Sequence, residues 1–174
     1  FPKDVKALIK TANDHNYDLK VLKSVEEVNN KQKSILVDKI KEYFNGNLSG
    51  KTISLWGLAF KPHTDDMREA PSLVIIEQLL NEGVKIKAYD QTAMKESERI
   101  IGDTISYCND QYDALTNSDA LFIVTEWPEF RDPNFRLMKE NMNTPAIFDG
   151  RNIFDSKEIV ERGFEYFCIG VKTI

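Results

Sequence analysis

Residues 120–124, Ala-Leu-Phe-Ile-Val, form an unbroken run of five apolar residues, and no other segment constrains the fold of this chain as strongly. A strand with one solvated face alternates apolar and polar residues. A continuous run marks a strand covered on both faces, at the centre of a parallel sheet. Parallel neighbours need crossover helices, and the flanking sequence supplies them. Residues 52–56 are apolar and β-compatible, and Pro71 suits the first turn of a helix carrying Leu73, Ile76 and Leu80, with Gly83 just past its end. Residues 84–89 return as a strand, 94–101 read as a charged helix, and a short strand lies near Ile105. Beyond the central run, 134–142 read as helix, 146–148 as strand, 157–162 as a helix stopped at Gly163, and 164–169 as a strand closing the sheet. With right-handed crossovers the pattern predicts an α/β fold built on a doubly wound parallel sheet.

The first 45 residues are of another kind. Asp4 is placed to cap a first helix carrying Val5, Leu8 and Ile9, and the Asn13-Asp14-His15-Asn16 cluster breaks it. A long amphipathic stretch follows, with Leu22, Val25, Val28, Leu36, Ile40 and Tyr43 spaced at threes and fours and interrupted by Asn29 and Gln32. A helix of that length spans more than ~30 Å. It is too long for so small a domain to bury alone, which points to an interdomain or intersubunit role. The turn-rich Asn45-Gly46-Asn47-Leu48-Ser49-Gly50 separates a helical segment, 1–45, from an α/β domain, 46–174.

A net charge of −5 argues against a general nucleic-acid surface. No apolar run approaches the ~20 residues that span a bilayer, and Cys108 and Cys168 are too few and too far apart for a disulfide framework or metal cluster. A reducing cytoplasm is expected. His15 and His63 have no ligand-spaced partner, so no metal site is expected.

In a doubly wound sheet, ligands bind beyond the carboxyl ends of the strands. Three polar loops leave such ends: 57–69, 125–127 and 149–152, and together they offer Lys61, Arg68 and Arg151 in an otherwise acidic chain. Arginine can clamp phosphate bidentately and lysine meets it as a point charge. A dinucleotide site here requires G-x-G-x-x-G, yet the first loop carries only Gly57. The domain is therefore Rossmann-like in pattern, preceded by a long helix, and expected to take a ligand other than a whole NAD in the usual pose. Plainer readings stay open: Lys61 and Arg68 as solvated loop residues, Arg151 as a turn residue, Asp65 and Asp66 as turn and cap residues, Asp4 as a cap. Cys168 and Trp56 read as core, and Trp127 as lining the crevice.

The loops carry more than spacing. Phe1-Pro2-Lys3-Asp4-Val5-Lys6-Ala7-Leu8 resembles the segment that follows the catalytic cysteine in the UDP-glucose/GDP-mannose dehydrogenase family. Trp56-Gly57-Leu58-Ala59-Phe60-Lys61, with Thr64-Asp65-Asp66-Met67-Arg68-Glu69-Ala70-Pro71-Ser72, resembles that family's carboxyl-terminal nucleotide-binding loop. Thr125-Glu126-Trp127 with Phe130, and Phe148-Asp149-Gly150-Arg151-Asn152, match two further motifs in the same order, and the Thr-Glu-Trp segment leans the resemblance toward the UDP-glucose branch.

Members of this family oxidise a sugar's primary alcohol to a carboxylate with two NAD molecules, through a cysteine-bound thiohemiacetal and thioester. The resemblance implies a role for each matching residue. Asp4 assists water and proton handling, and Lys3 and Arg68 contact NAD. Phe60 and Lys61 hold the sugar nucleotide, and Arg151 lies at the UDP pocket. The long helix corresponds to the family's central helix, which joins the two nucleotide domains and forms a homodimer. The nucleophilic cysteine is expected just before Phe1, so the 174 residues are expected to be a carboxyl-terminal piece, separated from the amino-terminal NAD-binding domain and unable to turn over alone. A relative acting on GDP-mannose or an N-acetylated UDP-sugar, or a non-catalytic nucleotide-sugar-binding module, remains open.

Overall fold

The sheet has six strands in the order β3-β2-β1-β4-β5-β6, all parallel. The computed structural model describes residues 2–171. The strands are β1 (Thr52–Trp56), β2 (Lys85–Tyr89), β3 (Ser106–Tyr107), β4 (Ala120–Ile123), β5 (Ala146–Asp149) and β6 (Glu165–Cys168). Helices α3 (Pro71–Asn81), α4 (Met94–Ile101), α5 (Gln111–Leu115), α6 (Phe135–Asn141) and α7 (Ser156–Glu161) occupy the crossovers, and a 3-10 turn at Pro128–Phe130 follows β4. This is the expected doubly wound Rossmann-like order.

Burial explains which strands lie where. Every residue of β4 and β5 is buried, as are Ile53–Trp56 of β1, so the three central strands are covered on both faces. Strands β2 and β6 alternate buried and more exposed positions. One core cluster joins Trp56, Leu121, Ile123, Phe130, Met138 and Ile147. Within it Trp56 stacks on Phe130 at 5.0 Å, and its indole N–H donates to the Gln111 carbonyl at 2.9 Å, so the ring is buried with its one donor satisfied.

The crossover helices follow local chemistry. Helix α3 starts with Pro71, whose missing N–H costs nothing there, and buries Ile75, Ile76 and Leu79. Asp110, Asn134 and Asp155 cap α5, α6 and α7 through their side-chain oxygens. Neither α5 nor the 3-10 turn is expected from sequence, because neither is long enough to carry a period.

Contacts divide the chain into two compact units, Phe1–Ile35 and Leu36–Ile174. The division falls inside α2 (Lys20–Tyr43), so the last two turns of this helix belong to the second unit, where Leu36, Val37 and Ile40 are buried. The first unit holds α1 (Pro2–Asp14) and the rest of α2. Helix α1 begins at Pro2, so Asp4 lies within its first turn rather than at a cap, where a carboxylate still favours the helix dipole. Both Lys3 and Asp4 are exposed. Phe1, which opens the segment resembling the family's active site, lies outside the described residues. Val21, Val25 and Val28 form an exposed apolar stripe on α2. Among the described residues no helix is long and apolar enough to cross a membrane.

Candidate functional site

Strand order reverses between β1 and β4, and a doubly wound sheet opens its ligand crevice at that switch point. The two strands approach closely there. Gly57, the first residue after β1, has φ +91°, and a Cβ placed on it would lie 2.4 Å from Thr125 Cβ and 2.6 Å from the Thr125 backbone nitrogen. No other residue type fits a left-handed position with a neighbouring backbone that near. Thr125 in turn donates from Oγ1 to the Ala59 carbonyl at 2.6 Å, buried, which locks the loop after β4 onto the loop after β1.

The backbone donors of the β1 turn are all used internally. Gly57 N–H donates to the Tyr89 carbonyl at 2.9 Å and Phe60 N–H to the Asp66 carbonyl at 2.9 Å. Leu58 and Ala59 N–H donate to Asp90 Oδ2 at 2.7 and 3.2 Å. In a dinucleotide site such amides face the pyrophosphate. Here none of the four is free to do so, and the chain has no second glycine at the turn. The described residues therefore do not fit NAD in the usual Rossmann pose.

Positive charge is supplied by side chains instead. Phe60 (38% exposed) and the exposed Lys61 open the long loop, and Lys61 forms no ion pair among the described residues. Arg68 is held along one edge of its guanidinium. Asp66 accepts from its Nε at 2.9 Å, its Nη2 at 2.8 Å and its backbone N–H at 3.0 Å, while the side chain stays 81% exposed. Arg151 pairs with Glu126 across 2.5 Å, joining the loops that follow β4 and β5. Burial alone would push Glu126 up, but the Arg151 contact, a backbone hydrogen bond and the Arg131 charge together outweigh it and hold the carboxyl below the usual range.

The β5 loop has its own support. Asp149, fully buried at the strand end, accepts from the Arg151 and Ile153 N–H groups at 2.8 Å each and from the Tyr166 hydroxyl at 2.7 Å. These bonds set the turn that carries Arg151. Burial, then the Asp149 charge, drive the Tyr166 phenol well above its ordinary range.

Four of the six residues singled out from sequence, Phe60, Lys61, Arg68 and Arg151, thus stand on loops at the carboxyl edge of one sheet. Lys3 and Asp4 belong to the first unit. One expectation needs correcting: Trp127 does not line the crevice as an open wall. It is buried, because its indole N–H donates to Asp90 Oδ2 at 3.0 Å while His63 covers its ring edge-on at 5.3 Å. Asp90 itself escaped the sequence reading. The available signal was its place directly after a strand, where dinucleotide folds carry the ribose-binding acid.

Fold, switch-point crevice and lost glycine fingerprint define a Rossmann-like domain whose turn amides after β1 are spent on the chain itself. The sequence model of the UDP-glucose/GDP-mannose dehydrogenase family's UDP binding domain matches residues 54–156, and the chain belongs to that family. It is 43% identical over 98% of its length to a UDP-glucose 6-dehydrogenase of Pseudomonas aeruginosa, of which it covers 39%. It is 41% identical over its whole length to the UDP-glucose 6-dehydrogenase YwqF of Bacillus subtilis, again covering 39%. The chain thus spans about two fifths of the curated relatives it matches. Among solved structures it resembles a UDP-glucose dehydrogenase from Pyrobaculum islandicum (TM-score 0.81, 28% identity, 96% of this chain and 36% of that one). It also resembles a UDP-D-ManNAc dehydrogenase from Pyrococcus horikoshii (TM-score 0.71, 26% identity, 97% and 37%).

Proposed function

We propose that this chain is the sugar-nucleotide-binding part of an NAD-dependent UDP-glucose 6-dehydrogenase, which oxidises UDP-glucose to UDP-glucuronate. The observation that carries the reading is the switch-point crevice itself. Its four backbone donors are spent, which leaves Lys61 and Arg151, on the loops after β1 and β5, as the cations that would meet a diphosphate. The 43% identity to a UDP-glucose 6-dehydrogenase supports glucose over the N-acetylated sugars.

In this reading Phe60 packs on the sugar nucleotide, Lys61 meets its negative charge, and Arg151 contacts the UDP moiety from the β5 turn. Asp4 handles water and protons at the reacting carbon. NAD supplies the hydride acceptor and is held by an amino-terminal domain, with Lys3 and Arg68 the residues of this chain that reach it. Asp66 supports that role for Arg68, since it holds one edge of the guanidinium, Nε and Nη2, while the side chain stays largely exposed. The exposed valine stripe of α2 supports a homodimer formed through this helix. Two free, buried cysteines suit the cytoplasm, where a uronate donor for polysaccharide biosynthesis would be made.

Calorimetry with UDP-glucose, UDP, GDP and NAD tests the assignment. UDP and UDP-glucose should bind, GDP should bind more weakly, and NAD alone should not bind. A charge-assisted contact contributes ~1.5–3 kcal/mol, so Lys61→Ala should weaken UDP-glucose by at least about tenfold. A preference for GDP would move the assignment to the guanosine-sugar relatives, and an unchanged Kd in Lys61→Ala would remove that residue from the site.

A further inference from the structure

Asp90 stands one residue past β2, fully buried, with no cation beside it among the described residues. Five N–H groups converge on its carboxylate. Oδ2 accepts from Leu58 N, Ala59 N and the Trp127 indole at 2.7, 3.2 and 3.0 Å, and Oδ1 accepts from Thr92 N and Ala93 N at 2.9 Å each. A buried anion is tolerable only when its lone pairs are met this completely. The donors come from three separate segments: the turn after β1, the turn before α4, and the segment after β4.

We propose that Asp90 is the positioning residue of the nucleotide crevice: by drawing the Leu58 and Ala59 amides and the Trp127 indole onto one carboxylate, it turns the backbone phosphate cradle inward and fixes the loops bearing Lys61 and Glu126. The proposal rests on the sugar-nucleotide reading above and adds what shapes that site. In a dinucleotide fold the corresponding acid faces outward to a ribose, and the turn amides face the pyrophosphate. Here acid and amides satisfy one another, so these turn amides are not offered to a bound nucleotide. One further bond joins two of these segments, from Thr92 Oγ1 to the Thr64 carbonyl at 2.7 Å, and Ser72 Oγ of α3 ties the β1 turn at the Leu58 carbonyl at 2.5 Å.

The test compares three variants of the full chain. Asp90→Ala removes every acceptor. Trp127→Phe removes one donor while keeping an aromatic ring, and so tests the same bracket if Asp90→Ala fails to fold. Leu79→Ala opens the buried face of α3 in its last turn, at the end of the helix away from the crevice, as a control for destabilisation alone. Each is titrated with UDP well below its Tm, and amide and indole exchange is followed by NMR. Asp90→Ala should weaken UDP at least about tenfold and Trp127→Phe about fivefold, as loss of charge-assisted bonds implies. The Leu58 and Ala59 amides should lose exchange protection in both, while Leu79→Ala keeps its UDP affinity within about twofold. Two results overturn the proposal alone: the wild type binding UDP with Trp127→Phe unchanged in affinity and protection, or Leu79→Ala losing as much affinity as the crevice variants. A wild type that binds no UDP sinks the functional reading, and the proposal with it.

Discussion

Gly57→Ala is the sharpest single perturbation this fold offers, because two costs act there and each can be measured separately. The first is conformational. At φ +91° a Cβ is disfavoured by ~1–2 kcal/mol, offset in part by the ~0.4–1 kcal/mol gained from a less flexible unfolded chain. The second is steric. The new methyl would lie 2.4 Å from Thr125 Cβ and 2.6 Å from the Thr125 nitrogen, and the nitrogen is backbone that no rotamer change can move away. Overpacking of this kind costs ~1–3 kcal/mol. The net expectation is about 3 kcal/mol, which for a chain of this size lowers Tm by ~6–12 °C.

Gly46→Ala isolates the first cost. Gly46 also has positive φ, +77°, but nothing lies within 4 Å of its added Cβ. That variant should lose less than ~1 kcal/mol, about 2–4 °C. Thermal melts followed by circular dichroism, with urea titrations to check that the m-value is unchanged, give both numbers. The difference between the two variants is the steric contribution of the β1–β4 approach. If Gly57→Ala melted no lower than Gly46→Ala, the two strand ends would not meet as described, and the crevice geometry would have to be redrawn. Forcing Thr125 away also strains its bond to the Ala59 carbonyl, so Gly57→Ala should weaken UDP binding along with stability.

Two further outcomes follow from tyrosine phenols bonded to carboxylates. Burial, then the hydrogen bond and charge of Glu165, push Tyr43 up to about 12. An unfolded tyrosine titrates near ~10, so the folded chain keeps this proton longer; the contribution to stability is intact below pH ~10 and is lost as pH rises toward about 12. Urea unfolding at several pH values across that window should show a steeper alkaline loss in the wild type than in Tyr43→Phe, and equal slopes would contradict the assignment. Tyr166→Phe deletes the buried 2.7 Å bond to Asp149. It should cost about 2 kcal/mol, or ~4–8 °C in Tm, with weaker UDP binding because Arg151 rides on the Asp149 turn. A Tm within 1–2 °C of wild type would show that Asp149's two backbone donors suffice.

The sheet was legible to a residue or so because its signals are local. Strand β4 lies in a continuous apolar run, β1 is rich in β-compatible residues, and Pro71 and Gly83 punctuate the helix between β1 and β2; the expected 52–56 and 94–101 coincide with the observed β1 and α4. Helix α5 escaped because five residues hold little more than one turn; its signal is the Asp110 cap, which reads equally well as a turn. Asp4, expected as a cap, falls inside α1 because Pro2 can itself occupy a first helical turn.

The same contrast divides the candidate site, and it has a physical cause. A dinucleotide fold recognises phosphate with backbone N–H groups, and the sequence records this only as the glycines that let the backbone approach. This domain directs those N–H groups to Asp90, Tyr89 and Asp66. In the proposed reading recognition then falls to Lys61 and Arg151, whose side chains can be read directly from the loops that carry them. What the sequence hides is the cause of that substitution. Asp90 collects donors 31, 32 and 37 positions away, and such convergence leaves no local period or spacing. A carboxylate buried without a cation is costly unless its donors are held in place. The three segments around Asp90 are also joined directly to one another, by Thr125 Oγ1 to the Ala59 carbonyl and Thr92 Oγ1 to the Thr64 carbonyl, so the inward turn of the amides and the joining of the crevice loops meet at one buried carboxylate.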